Sequence, residues 1–191
     1  MNGFAQQLQS PADPAVPNRE VLATIITAQR LGQGCLPNRL GLDAAAHEAL
    51  MQHCFPRTRD AMPTPSSRAL ECGSLREELL ALRRDEWQEL HDLLLQHRRN
   101  RDISEHWLAA IIATACLGSE HLWRDLGLPS RTALKTLLET NFPALALRND
   151  RDMRWKKFFY KQLCEQQGGY VCRSPSCEQC PTYQECFGDE S

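Results

Sequence analysis

Residues 21–42, VLATIITAQRLGQGCLPNRLGL, align without a gap on residues 107–128, WLAAIIATACLGSEHLWRDLGL, and ten of the 22 positions are identical. The shared residues are of two kinds. Leu22/Leu108, Ala23/Ala109, Ile25/Ile111 and Ile26/Ile112 recur at the spacing of one buried helical face. Gly32/Gly118 and Gly41/Gly127 mark helix ends instead. Each copy then runs through a further helix to a Phe-Pro pair, Phe55-Pro56 and Phe142-Pro143, with one extra residue in the second. The reading is an internal duplication: two similar helical units, about residues 21–56 and 107–143, packed about a pseudo-two-fold axis.

The flanking sequence extends the helical reading. In the first unit Val21, Leu22, Ile25, Ile26 and Leu31 suit a buried face. Pro56 to Arg68, PRTRDAMPTPSSR, reads as a loop because prolines and serines break regular structure. Beyond it Leu75, Leu79, Leu82, Trp87, Leu90 and Leu94 predict one long amphipathic helix. Further helices are expected at about 104–117, 130–141 and 150–166, the last stopped by Gly168 and Gly169. No run alternates with strand periodicity. The expected fold is all-α: a mobile lead-in at 1–18, a helical domain at 19–167 and a cysteine-rich, cluster-binding loop at 168–191.

The chain has 191 residues, enough for an ordinary core without a staple. Its 22 basic and 24 acidic side chains give a net charge of −2, so no global positive field points to nucleic acid or a membrane surface. The start lacks a basic region followed by an apolar core, which excludes a secretory signal, and WLAAIIATACLG is too short to cross a bilayer. A cytoplasmic protein is expected. Nine cysteines, an odd number, then point to metal or redox chemistry instead of disulfides.

Four of the nine crowd the end, as Cys172-x4-Cys177-x2-Cys180-x5-Cys186. Thiolates are soft donors, and four at short spacing suit Zn²⁺ or an iron–sulfur cluster. Zinc ribbons use two Cys-x2-Cys halves, of which only one is here, so the spacing favours the cluster. Pro175 and Pro181 keep the loop from continuing as helix. In the helix before it, Arg154, Lys157 and Lys161 fall in one arc, with Trp155, Phe158, Phe159 and Leu163 opposite. The basic arc is either a solvated face, or a device that offsets cluster charge, attracts an oxyanion or docks an acidic partner. Cys164, eight residues before Cys172, is expected to pack. In the duplication Cys35 lies opposite His121. Both are metal-ligand types, but a small buried thiol and a surface imidazole that coincide by accident are the favoured explanation, because single Cys and His residues usually have structural roles.

Ordinary catalysis is not indicated. There is no Ser–His–Asp order, no His-Glu-x-x-His and no phosphate-cradling glycine loop. The pairs His47/His53 and His91/His97 have a spacing that does not bring both rings to one helix face.

The stretch MRWKKFFYKQLCE…G…VC…PSCEQC…CFG, with its cysteine spacing, resembles the NifQ family of nitrogen-fixation proteins. The likeness continues upstream through HLWRDLGLPSRTALKTLLETNFPALALRND to LREELLALRRDEWQELHDLLLQHR. The resemblance implies a carrier, not an enzyme, that supplies molybdenum for the iron–molybdenum cofactor of nitrogenase. It implies an iron–sulfur cluster, [4Fe–4S] or [3Fe–4S], or a mixed Mo–Fe–S cluster, with Cys172, Cys177, Cys180 and Cys186 as ligands. The implied partners are the NifEN scaffold and NifH, with molybdate or a molybdenum-delivering protein upstream. Arg154, Lys157 and Lys161 are candidates to attract molybdate, and His121 or Cys35 to complete the metal's coordination. Two rival readings are a helical interaction protein with a structural zinc site and a helix–hairpin–helix DNA glycosylase. The latter needs hairpin glycines where LGLPSRTAL has Pro129-Ser130-Arg131.

Overall fold

The computed structural model describes residues 16–56, 63–166, 168 and 183–188. Among these, every regular element is a helix: α1 (Arg19–Arg30), α2 (Ala44–Cys54), α3 (Ser67–Leu82), α4 (Arg84–Gln96), α5 (Ser104–Cys116), α6 (Leu122–Asp125), α7 (Arg131–Asn141), α8 (Pro143–Leu147), α9 (Trp155–Gln166) and α10 (Tyr183–Phe187). The fold is all-α, as the periodicity predicts.

The centre is α5. All its residues except His106 are buried, because Ala, Ile and Leu surround the whole helix and leave no polar face for solvent. Around it α4 contributes Trp87, Leu90, Leu93 and Leu94, α1 contributes Leu22, Ile25 and Ile26, and α9 contributes Trp155, Phe158 and Phe159. Each fully buried Leu, Ile or Phe is worth about 1.5–3 kcal/mol of transfer free energy, which makes this cluster the source of stability. No helix among the described residues is long and apolar enough to cross a membrane.

The aligned segments occupy corresponding elements. Asp43 caps α2 by accepting from Ala46 N–H, and Ser130 caps α7 by accepting from Ala133 N–H. Both of those helices are 11 residues long, and they end at Phe55 (φ −135°, ψ 48°) and Phe142 (φ −130°, ψ 52°). Gly41 and Gly127 both lie in the left-handed region, at φ +84° and +71°. A Cβ on Gly41 would run into Thr114, and a Cβ on Gly127 into Ala28. Positions 28 and 114 are themselves counterparts in the gap-free alignment, so each glycine rests on the same position of the other segment. Gly32 and Gly118 are less alike: only Gly32 has positive φ, +74°.

Several expectations change in detail. The long helix from Leu75 to Leu94 is broken at Arg83 (φ −116°, ψ 32°) into α3 and α4. The Arg83 guanidinium donates to the Leu117 carbonyl at 2.8 Å and grips both carboxylate oxygens of Glu86 at 2.7 Å, so tertiary hydrogen bonds hold the non-helical backbone. Past the break Trp87, Leu90 and Leu94 are buried, but Leu75, Leu79 and Leu82 face solvent at 56%, 52% and 81% exposure. Leu31 is also exposed, because it is the cap residue beyond α1. The last long helix starts at Trp155, not near 150. Asn149 exchanges two 2.8 Å side-chain hydrogen bonds with the Met153 backbone, and this local turn outcompetes a helical start. Of the lead-in, residues 16–18 are described, and Asn18 is anchored to Ser104 Oγ and Asn141 Oδ1 at 2.8 and 2.7 Å.

Candidate metal centre

α9 forms because Trp155, Phe158, Phe159, Gln162 and Leu163 recur on one face and sink into the core. The expected aromatic side is therefore the buried one. Tyr160, half-buried, donates its hydroxyl to Glu86, which is already held by Arg83, so α9 is latched to α4. That hydrogen bond from Arg83 keeps the Glu86 carboxyl below its usual range.

Of the four tail cysteines, Cys172, Cys177 and Cys180 lie outside the described residues, as do Gly169, Pro175 and Pro181. Cys186 is described. It sits on α10, half-buried, and packs against the edge of the core with Phe187. Its carbonyl accepts the Arg154 N–H at 2.7 Å. The Arg154 guanidinium reaches the carbonyls of Glu185 and Gly188, both at 3.3 Å. The helix that bears Cys186 is thus fastened to the first turn of α9.

The basic arc divides. Arg154 and Lys157 line a cavity of about 250 Å³ together with Ser119, His121, Lys156 and Glu185. Lys161 lines a different one, about 380 Å³, with Arg148, Arg151 and Glu165. Lys157 lies 3.8 Å from Glu185, and Lys161 lies 3.6 Å from Glu165. The three cations therefore do not converge on one point.

Lys156, which is not part of the basic arc, is the inward-pointing cation of the helix. Its ammonium contacts the Asp125 carboxylate and donates to the Gly118 carbonyl at 2.8 Å. Asp125 is 2% exposed and also accepts the Glu120 N–H at 3.1 Å. Cys35 adjoins this pair: its N–H donates to the Asp125 carbonyl at 2.9 Å, and its thiol lies 3.8 Å from the Ala115 carbonyl. A Cβ on Gly118 would come within 2.5 Å of both Cys35 Sγ and Asp125 Oδ2, so only glycine fits between them. Burial, reinforced by the Asp125 charge, pushes the Cys35 thiol up to about 12, and burial does the same to Cys116. Such thiols stay protonated near neutrality. His121 lies at the start of α6 and lines the smaller cavity. No group of three His, Cys, Asp or Glu able to hold a metal occurs among the described residues, so Cys35 and His121 are not joined in one. Cys164 is half-buried on α9.

The NifQ family model matches residues 21–188, from the first turn of α1 through the whole cysteine tail. The chain belongs to the NifQ family of nitrogen-fixation proteins. It is 58% identical over 170 residues, 88% of this chain and 87% of the relative, to Protein NifQ of Azotobacter vinelandii. It is 40% identical over 158 residues, 82% of this chain and 90% of the relative, to Protein NifQ of Klebsiella pneumoniae. Protein NifQ of Rhodobacter capsulatus is 34% identical over 180 residues, 94% of this chain and 93% of its own. No solved structure matches the chain.

Proposed function

We propose that this protein carries molybdenum for assembly of the nitrogenase iron–molybdenum cofactor, with Cys172, Cys177, Cys180 and Cys186 holding an iron–sulfur or mixed Mo–Fe–S cluster. The observation that carries the reading is the four-thiol tail at x4, x2 and x5 spacing, inside a family match that runs to residue 188. The donor set fits the group: four soft thiolates satisfy iron, and Cys186 stands on a helix tied to the domain by Arg154. When bound, the cluster supplies sulfides, which are soft ligands for reduced molybdenum.

The chain's own part is to gather and hold. Molybdate is a hard oxyanion, and the cations of the basic arc that line one cavity beside Glu185 are Arg154 and Lys157. Reducing equivalents come from another protein. The NifEN scaffold and NifH are the proposed recipients, and the protein acts as a donor, not an enzyme.

Oxygen-free purification tests this directly. A brown protein containing iron, sulfide and molybdenum is expected, with iron lost on Cys→Ala substitution at any of the four positions. A colourless protein with stoichiometric zinc would instead establish a structural zinc module, and salt-sensitive DNA binding would revive the glycosylase reading.

A further inference from the structure

We propose that Arg154 is the positioning residue for the cysteine tail: it grips the C-terminal end of α10 and so fixes Cys186 relative to the helical core. This rests on Cys186 being a ligand, as proposed above.

A helix leaves its last carbonyls without intrahelical partners. In α10 one of them, Gln184 O, accepts the Gly188 N–H at 2.9 Å. The next two and the carbonyl of Gly188 all go to Arg154: Cys186 O to its backbone N–H, Glu185 O to Nη1 and Gly188 O to Nε. One residue thereby caps the helix with two kinds of donor, and its positive charge lies at the negative end of the peptide dipoles. Further contacts act in the same direction. Lys157 lies 3.8 Å from Glu185, and the half-buried Phe187 stacks on Tyr183 with ring centroids 4.7 Å apart.

Arg154 is itself fixed. Its carbonyl accepts the Phe158 N–H at 2.9 Å as the first helical bond of α9, whose aromatic face is sunk in the core. Rigidity therefore passes from the core through α9 and Arg154 to the backbone of Cys186. One consequence follows for a thiolate cluster: a ligand already placed lowers the ordering cost of binding. Lysine is the poorer match, because its N–H groups all spread from one atom at the end of a flexible stem, whereas Arg154 reaches the two carbonyls from Nε and Nη1, two separate atoms of one rigid plane.

The test uses the full chain with Arg154→Ala, Arg154→Lys and Cys186→Ala. Hydrogen exchange on metal-stripped protein reads residues 183–188. In the wild type the Gly188 amide, bonded to Gln184 O at 2.9 Å, should be protected, and in both Arg154 variants it should exchange on the order of 10-fold faster, the loss of one or two net hydrogen bonds, with α4 and α5 unchanged. After anaerobic reconstitution both variants should bind iron but give an EPR spectrum broadened or split relative to wild type. Wild-type exchange in Arg154→Ala, or a wild-type spectrum in it, overturns the proposal. A fully wild-type Arg154→Lys overturns the two-pronged grip. Wild-type iron content and EPR in Cys186→Ala would remove the ligand reading itself. Iron loss in Cys186→Ala, with Arg154→Ala unchanged in every readout, would reject the positioning role alone.

Discussion

Replacing Lys156 with methionine strips the Asp125 carboxylate of its ammonium while keeping most of the side-chain volume. The two side chains are 17% and 3% exposed, so the pair is shielded from water on the Asp125 side and open at one edge on the other. Breaking a buried pair by removing one partner costs about 3–5 kcal/mol, because the remaining charge has lost its compensation. Asp125 keeps the N–H of Glu120, and the edge admits some water, which places Lys156→Met at the low end, about 3 kcal/mol. For a slope of about 2–3 kcal/mol per molar urea, the midpoint falls by about 1 M. Urea titration followed by tryptophan fluorescence measures it. The double variant Lys156→Met/Asp125→Asn removes the stranded charge and should recover about 1–2 kcal/mol of the sum of the single losses. A single-variant cost below about 1 kcal/mol, with no coupling in the cycle, is what an exposed pair gives and would refute the reasoning.

Three further outcomes are expected from the same denaturation assay. Gly127→Ala combines left-handed strain with a collision against Ala28, whereas Gly32→Ala meets Ala69 at an ordinary 3.7 Å. The first should therefore cost clearly more than the second, whose penalty is about 1 kcal/mol; equal costs would contradict the close approach. Leu82→Ala should change stability by less than about 0.5 kcal/mol, and Leu90→Ala should cost about 2–5 kcal/mol, which checks the break at Arg83. Burial against Trp87 lowers the His91 pKa from the unfolded 6.5, so the folded state resists protonation. Its contribution is complete above pH 6.5 and is lost as pH falls from there to the folded value. His91→Phe should flatten the stability profile over that window, and an unchanged slope would count against it.

What the sequence discloses depends on how local the cause is. The burial of α5 is written in WLAAIIATAC, since a helix apolar on every side has nowhere else to go. The corresponding ends at Phe55 and Phe142 and the turns at Gly41 and Gly127 are equally local, because residue type dictates backbone there. The break at Arg83 is not: no glycine or proline signals it, and the carbonyl that holds it belongs to Leu117, 34 positions away. Lys156 and Asp125, 31 positions apart, each look like a surface charge until α9 folds back on α6. At the candidate centre the spacing of thiols was readable, and so was the cationic side of α9. That Arg154 spends its donors on the chain bearing Cys186 was not, since backbone carbonyls leave no trace in residue identity.

The crossed seating of Gly41 on Thr114 and Gly127 on Ala28 makes the two ends of the polypeptide mutually dependent. Cutting the chain midway would leave each fragment with an open notch where the other's turn had closed it. Neither fragment is then a finished body, and the foundation beneath the thiols, though encoded late in the gene, needs helices translated first.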